Sequence, residues 1–163
     1  SYLYHLLLSA GGFAEFRTQM NVFDVLEPIY GNLGVVKNKT KMMNEWLRSK
    51  AFVLSGLEAD EIKAKVLSEC RSASDFLRIV MEEIGRKQGV ERWIDSTPTN
   101  IPHLLRIKRD FPHARIAKKH GSPRPLNNPR PRAWFFGQGR SPPPSHGRRT
   151  LRDEPVPRAA LII

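Results

Sequence analysis

Few side chains in this sequence are spaced for chemistry. Glu15 and Arg17 stand two residues apart in a stretch that alternates Phe13, Glu15 and Arg17 with Ala14 and Phe16. A carboxylate and a guanidinium are the groups that accept protons and hold anions, but the same spacing suits an ordinary surface ion pair. His5 falls in a Leu-rich helical stretch and is expected to pack beside Leu8. His103 and His113 have no metal-binding spacing with Cys70, so no metal site is expected. Lys37, Lys39 and Lys41 form a basic run that reads as the solvated start of a helix rather than a substrate clamp.

The elements that must position these residues follow from periodicity and punctuation. Tyr2 to Ala10 places Leu3, Leu6 and Leu7 at helical spacing and stops at Gly11-Gly12. The stretch is short and has no basic residue before it, which argues against a secretory leader. Phe13 to Arg17 predicts a short strand. Asn21 is expected to cap a helix through Val22, Val25, Leu26 and Ile29, and Thr40 one that carries Met43, Trp46 and Leu47. Leu57 to Cys70 predicts a helix with Ile62, Val66 and Leu67 on one face and acids in its first turn.

The most regular segment is Ala73 to Lys87. Ser74 is the expected cap, Phe76, Ile79, Val80 and Ile84 form the apolar stripe, and Gly89 closes it. Trp93-Ile94-Asp95 then reads as a strand that ends at a Ser96-Thr97-Pro98 turn, which would shape a cleft. Ile101, Leu104 and Leu105 predict one more helix, broken at Phe111-Pro112. Ala114 to Ala117 begins a strand expected to be buried. This rhythm of strands, turns and helices fits an α/β domain.

The chain has 163 residues and a formal net charge of +11, and the charge is divided unevenly. Residues 1–117 carry 17 Lys/Arg against 14 Asp/Glu, whereas residues 118–163 carry 10 against 2 and nine of the 13 prolines. After Ala117 no period of 2 or 3.6 persists. Such a segment cannot bury enough apolar surface to offset a chain entropy of roughly 1–2 kcal/mol per residue. The expectation is therefore a domain over 1–117 and a disordered Arg/Pro-rich tail over 118–163, with Trp134-Phe135-Phe136 and Leu161-Ile162-Ile163 as apolar islands. Cys70 is the sole cysteine, which excludes an internal disulfide and makes a reducing, cytoplasmic setting the default. No apolar run approaches the ~20 residues needed to span a bilayer.

Three segments carry a family resemblance. Ser1-Tyr2-Leu3-Tyr4-His5-Leu6-Leu7-Leu8 resembles the last residue and following helix of the 5′-phosphosulfate loop of sulfotransferases. Trp93-Ile94-Asp95-Ser96-Thr97-Pro98 is similar to that family's Trp-x-Glu-Lys/Cys-Thr-Pro segment. Asp110-Phe111-Pro112-His113-Ala114-Arg115-Ile116 resembles the approach to its 3′-phosphate-binding strand. The resemblance implies a truncated three-layer, P-loop-NTPase-like parallel sheet. It also implies sulfuryl transfer from 3′-phosphoadenosine 5′-phosphosulfate (PAPS) to a hydroxyl or amine acceptor whose identity the chain does not state. By resemblance Ser1 supplies a hydroxyl to the phosphate, Tyr2 contacts adenine, Glu15 is the candidate base and Arg17 an anion contact.

The family's glycine-rich loop and its 3′-phosphate arginine have no counterpart here, so this chain by itself is expected to bind the nucleotide weakly or not at all. The resemblance stops inside what should be a core strand, whereas domain boundaries fall in exposed linkers. Residues from 118 onward are accordingly read as out of frame, ahead of a genuine extension. Two other classes remain open. One is a small helical domain whose basic tail attracts nucleic acid without sequence specificity; the other is a purely helical structural module.

Overall fold

The computed structural model describes residues 2–117 and 159–162. Helix α1 (Tyr2–Ser9) runs into Gly11 and Gly12, whose φ angles of +78° and +75° lie in the left-handed region that glycine enters without a Cβ clash. Strand β1 follows, but it covers only Phe13–Ala14. It stops early because the Gln88 side chain takes over the backbone of Glu15. The Glu15 N–H donates to Gln88 Oε1 at 2.7 Å, and the Glu15 carbonyl accepts from Gln88 Nε2 at 2.9 Å.

The helix expected after Asn21 is irregular. Asn21 has φ +44° and provides no side-chain cap; Val22–Leu26 form a π-helical turn that passes into α2 (Glu27–Tyr30). Helix α3 (Val36–Trp46) starts four residues before the expected cap at Thr40, so the basic run lies inside it. Lys39 is therefore buried rather than solvated, and its Nζ donates to the Cys70 carbonyl at 2.9 Å. Helix α4 (Lys50–Ser55) is capped by Ser49 and closed by Gly56; α5 covers Ala59–Glu69.

Helix α6 (Ala73–Gln88) is the centre of the molecule. Its cap is Ser72, which accepts from the Asp75 N–H at 3.1 Å; Ser74 instead donates to Asp110 at 2.6 Å. Phe76, Leu77, Ile79, Val80, Met81 and Ile84 are all at most 1% exposed, so α6 is covered on nearly every side. Trp46 meets Phe76 edge to face at 5.3 Å, and Met42, Met43, Ile62 and Val66 from α3 and α5 complete this cluster. At Gly85 a Cβ would stand 2.7 Å from the Val90 carbonyl, so glycine lets the end of α6 fold back there.

Strand β2 (Arg92–Asp95) is followed by a 3₁₀ helix (Pro98–His103) and α7 (Leu104–Asp110). Three residues per turn shift the phase of the apolar stripe. Ile107 is the buried residue, while Ile101 and Leu105 are exposed, contrary to the stripe read from the sequence. Strand β3 (Arg115–Ala117) also departs from expectation: Ala114 is buried, but Arg115 and Ile116 are exposed.

The sheet is parallel throughout, in the order β1-β2-β4-β3, where β4 is Ala159–Ile162. Trp93 pairs with Ala159 and Asp95 with Leu161; on the other side Arg115 pairs with Ala160 and Ala117 with Ile162. Those four residues are thus regular structure, where the sequence suggested an isolated apolar end. The remainder of the expected tail, and Ser1, lie outside the described residues. The chain is α/β, mostly helical with a small parallel sheet, which removes the purely helical module. Among the described residues no helix is long and apolar enough to cross a membrane.

Alternation along β1 and β2 splits the packing between two faces. Ala14 and Trp93 join the large cluster around α6, whereas Phe13 and Ile94 join a small one with Tyr4, Leu3, Leu7 and Leu8 of α1.

Candidate functional site

A cleft of about 200 Å³ opens at the carboxyl ends of β1 and β2. Its walls are Tyr4 and His5 from α1, Phe16 to Gln19 from the chain leaving β1, and Ser96 from the turn after β2. In open parallel sheets this end of the strands is where ligands bind, because the loops there can vary without disturbing the ladder. The volume is below the ~300 Å³ at which small-molecule sites begin. It suits a sulfate- or phosphate-sized group, not a whole nucleotide.

Each wall is fixed by a specific bond. The Tyr4 hydroxyl donates to the Phe16 carbonyl at 2.8 Å and accepts from the Phe16 N–H at 3.3 Å, which ties α1 to the segment after β1. Burial raises the Tyr4 pKa above its ordinary value. Arg17 projects into solvent from the cleft and pairs with Glu15, both side chains substantially exposed. The structure therefore brings the expected acid and cation together. His5, also on α1, is exposed at the rim, its ring edge-on to Tyr4 at 5.6 Å. Tyr2 opens α1, and Ser1 lies outside the described residues.

The turn that carries Ser96 is held by a residue that the sequence did not single out. Asp95, at the end of β2, is 5% exposed and has no cationic partner among the described residues. Its Oδ1 accepts from the Thr97 N–H at 3.1 Å and the Thr97 hydroxyl at 2.5 Å; its Oδ2 accepts from Asn100 Nδ2 at 2.7 Å. Thr97 and Asn100 are fully buried. Burial raises the Asp95 pKa, against the opposing effect of these three bonds. The visible signal was Asp-Ser-Thr-Pro-Thr-Asn itself, since Asp, Ser and Thr before a Pro favour such local turns. Nothing local, however, announced that the carboxylate would be buried.

The other polar clusters are internally neutralised. Between α6 and α7, Arg78, Arg106 and Arg109 surround a hollow of about 310 Å³ with Asp75 and Asp110. Arg106 forks onto Glu27, Arg78 bonds Glu82 at 3.1 Å and Arg109 bonds Asp110 at 2.9 Å. Cys70 is buried, and its thiol is pushed up to about 11, which makes it a poor nucleophile or metal ligand. His103 bonds Asp24 at 3.1 Å. Among the described residues there is no group of three or more side chains that could hold a metal.

No family model matches the chain, and no curated protein or solved structure matches it.

Proposed function

We propose that residues 1–117 form part of a PAPS-dependent sulfotransferase domain that moves a sulfuryl group to a hydroxyl or amine. The observation that carries this reading is the position of the cleft. It lies at the carboxyl ends of two parallel strands, between α1 and the turn after β2. Those two walls come from two of the three segments that resemble the family. On this reading, α1 and α6 on opposite faces of the strands belong to a three-layer, P-loop-like sheet. The residues present fit the anionic end of the co-substrate in part. Arg17 offers a cation and Ser96 a hydroxyl at a hollow of anion size.

The nucleotide supplies the sulfuryl group, and the chain's residues bind and prepare. Glu15 is the proposed base and is held by Arg17. An anion in the cleft would draw Arg17 away and leave the Glu15 carboxylate free to accept a proton. The nucleic-acid reading rests on the charge of residues 118–163, and residues 1–117 offer only a net +3 to support it.

The test is a titration of the chain with adenosine 3′,5′-bisphosphate followed by backbone amide shifts. Weak binding that perturbs Tyr4, Arg17 and Ser96 is expected. A glycine-rich loop joined ahead of Ser1 should tighten it, and Ser1→Ala in that longer chain should then cost about 1.5–3 kcal/mol, the scale of a hydrogen bond to a charged group. Micromolar binding by the unmodified chain, or shifts confined to the hollow between α6 and α7, would overturn the reading.

A further inference from the structure

Strands β2 and β3 are both parallel to β4 and each pairs with it, but they do not pair with each other. They are separated by two inter-strand spacings, about 9.6 Å, which leaves a slot one strand wide. The β2 wall of that slot, and the chain leading into β3, are anchored without its occupant. Strand β2 pairs with β1 through Phe13–Arg92 and Ala14–Trp93, and Trp93 packs edge-on against Phe111 at 5.8 Å. The approach to β3 is held by the Ala114 N–H on the Phe111 carbonyl at 2.9 Å and by Lys108 Nζ on the Ala114 carbonyl at 3.0 Å. The occupant, in contrast, is four residues long and is joined to β3 through residues 118–158.

We propose that the seam between β2 and β3 is a strand-binding slot, and that Ala159–Ile162 fills it as an intramolecular ligand which an added parallel peptide can displace. Recognition of this kind draws its affinity from main-chain bonds, here available on both sides. The register fixes how the occupant lies. Alanine stands opposite Trp93, and alanine again stands between Ile94 and Arg115. Leucine follows between Asp95 and Ile116, and isoleucine stands opposite Ala117. The probe is therefore the occupant's own Ala-Ala-Leu-Ile, running parallel to β2. Asp95, which pairs with Leu161 of the occupant, also holds the turn that lines the cleft.

The experiment uses the full chain and a fluorescent synthetic peptide with the sequence of residues 156–163, read by anisotropy, with a scrambled peptide as control. Ala160→Pro removes a main-chain donor from the middle of a central strand and cannot stay there. Peptide binding should rise at least tenfold in that variant, because the internal competitor is gone. Equal binding to both chains, or no binding to a variant whose circular dichroism remains native, would overturn the proposal.

If Ala160→Pro does not fold, the isotopically labelled unmodified chain decides. Unlabelled peptide at several millimolar, the scale of intramolecular effective concentrations, should shift the amides of residues 159–162. The Ile94 and Ile116 amides should stay protected from exchange. Amides of residues 159–162 that do not respond, or protection lost at Ile94 and Ile116 as the peptide enters, would overturn it.

Discussion

Glu83 and Asp95 are both buried carboxylates, 8% and 5% exposed, in regions built in different ways. Glu83 lies on α6 in the helical body and accepts from Lys65 at 2.6 Å and from Arg86. Burial alone would raise its carboxyl, but those cationic donors outweigh burial and hold it below its ordinary value. Asp95 lies at the end of β2 and, among the described residues, accepts only from neutral donors on Thr97 and Asn100. There burial wins, and the carboxyl is raised. The helical body neutralises its charges and draws its stability from a large apolar cluster, whereas the end of β2 holds a buried carboxyl with no cation beside it among the described residues. Perturbed, unpaired groups of that kind concentrate where proteins bind and react.

The largest loss is expected in the helical body. Phe76 is fully buried against Trp46, and Phe76→Ala should cost about 3–5 kcal/mol by urea denaturation. A loss under ~0.5 kcal/mol would mean that α6 is not the core. At the strand ends, Asp95→Leu leaves the Thr97 and Asn100 donors buried without an acceptor. Stranded donors cost about 1–3 kcal/mol each, so a loss of about 2–4 kcal/mol is expected after partial relaxation.

The pH dependence sharpens the contrast, because the two groups act with opposite sign. The raised Asp95 contributes stability that is fully present below the ordinary carboxylate range and is lost as pH rises through its folded-state pKa. Asp95→Asn should therefore flatten that loss. Glu83 contributes stability above the ordinary carboxylate range that is lost as pH falls through its lowered pKa. Glu83→Gln should cost about 1–2 kcal/mol at neutral pH, less than the Asp95→Leu loss, and remove part of the acid unfolding slope. Thermal melts from pH 3 to 8 check both; slopes of the same sign would abolish the distinction.

The smallest effect should come from the cleft's exposed pair. Arg17→Ala should change stability by under ~0.5 kcal/mol, because solvent screens a pair this exposed, while it weakens any inorganic sulfate or phosphate binding seen by amide shifts at Ser96. A large loss of stability with unchanged anion binding would return Glu15 and Arg17 to a structural role.

Local order was largely legible before the structure. The stripe of α6, the glycine ends of α1 and α6, and Trp93-Ile94-Asp95 as a strand all follow from spacing within a few residues. The candidate site was legible in part. Glu15 and Arg17 were recognisable by type, and the structure brings them together, but Asp95 and Asn100 were not recognised as a buried pair. Residues that bond across the chain were misjudged for one reason. Ser74 serves Asp110 rather than its own helix end, Lys39 serves Cys70, and Gln88 ends β1 at Glu15.

Spacing along the chain settles most of the elements between residues 2 and 117, because helix and turn preferences are fixed within a turn or two, but it gives neither α4 nor the strand at Ala159–Ile162. The assembled fold settles which face of β1 and β2 meets α1 and which meets α6, that Asp95 is buried with no cation among the described residues, and that Ala159–Ile162 lies between β2 and β3. Those outcomes depend on partners far apart along the chain. Burial and strand pairing are properties of the assembled packing, and no local pattern encodes the identity of a distant neighbour.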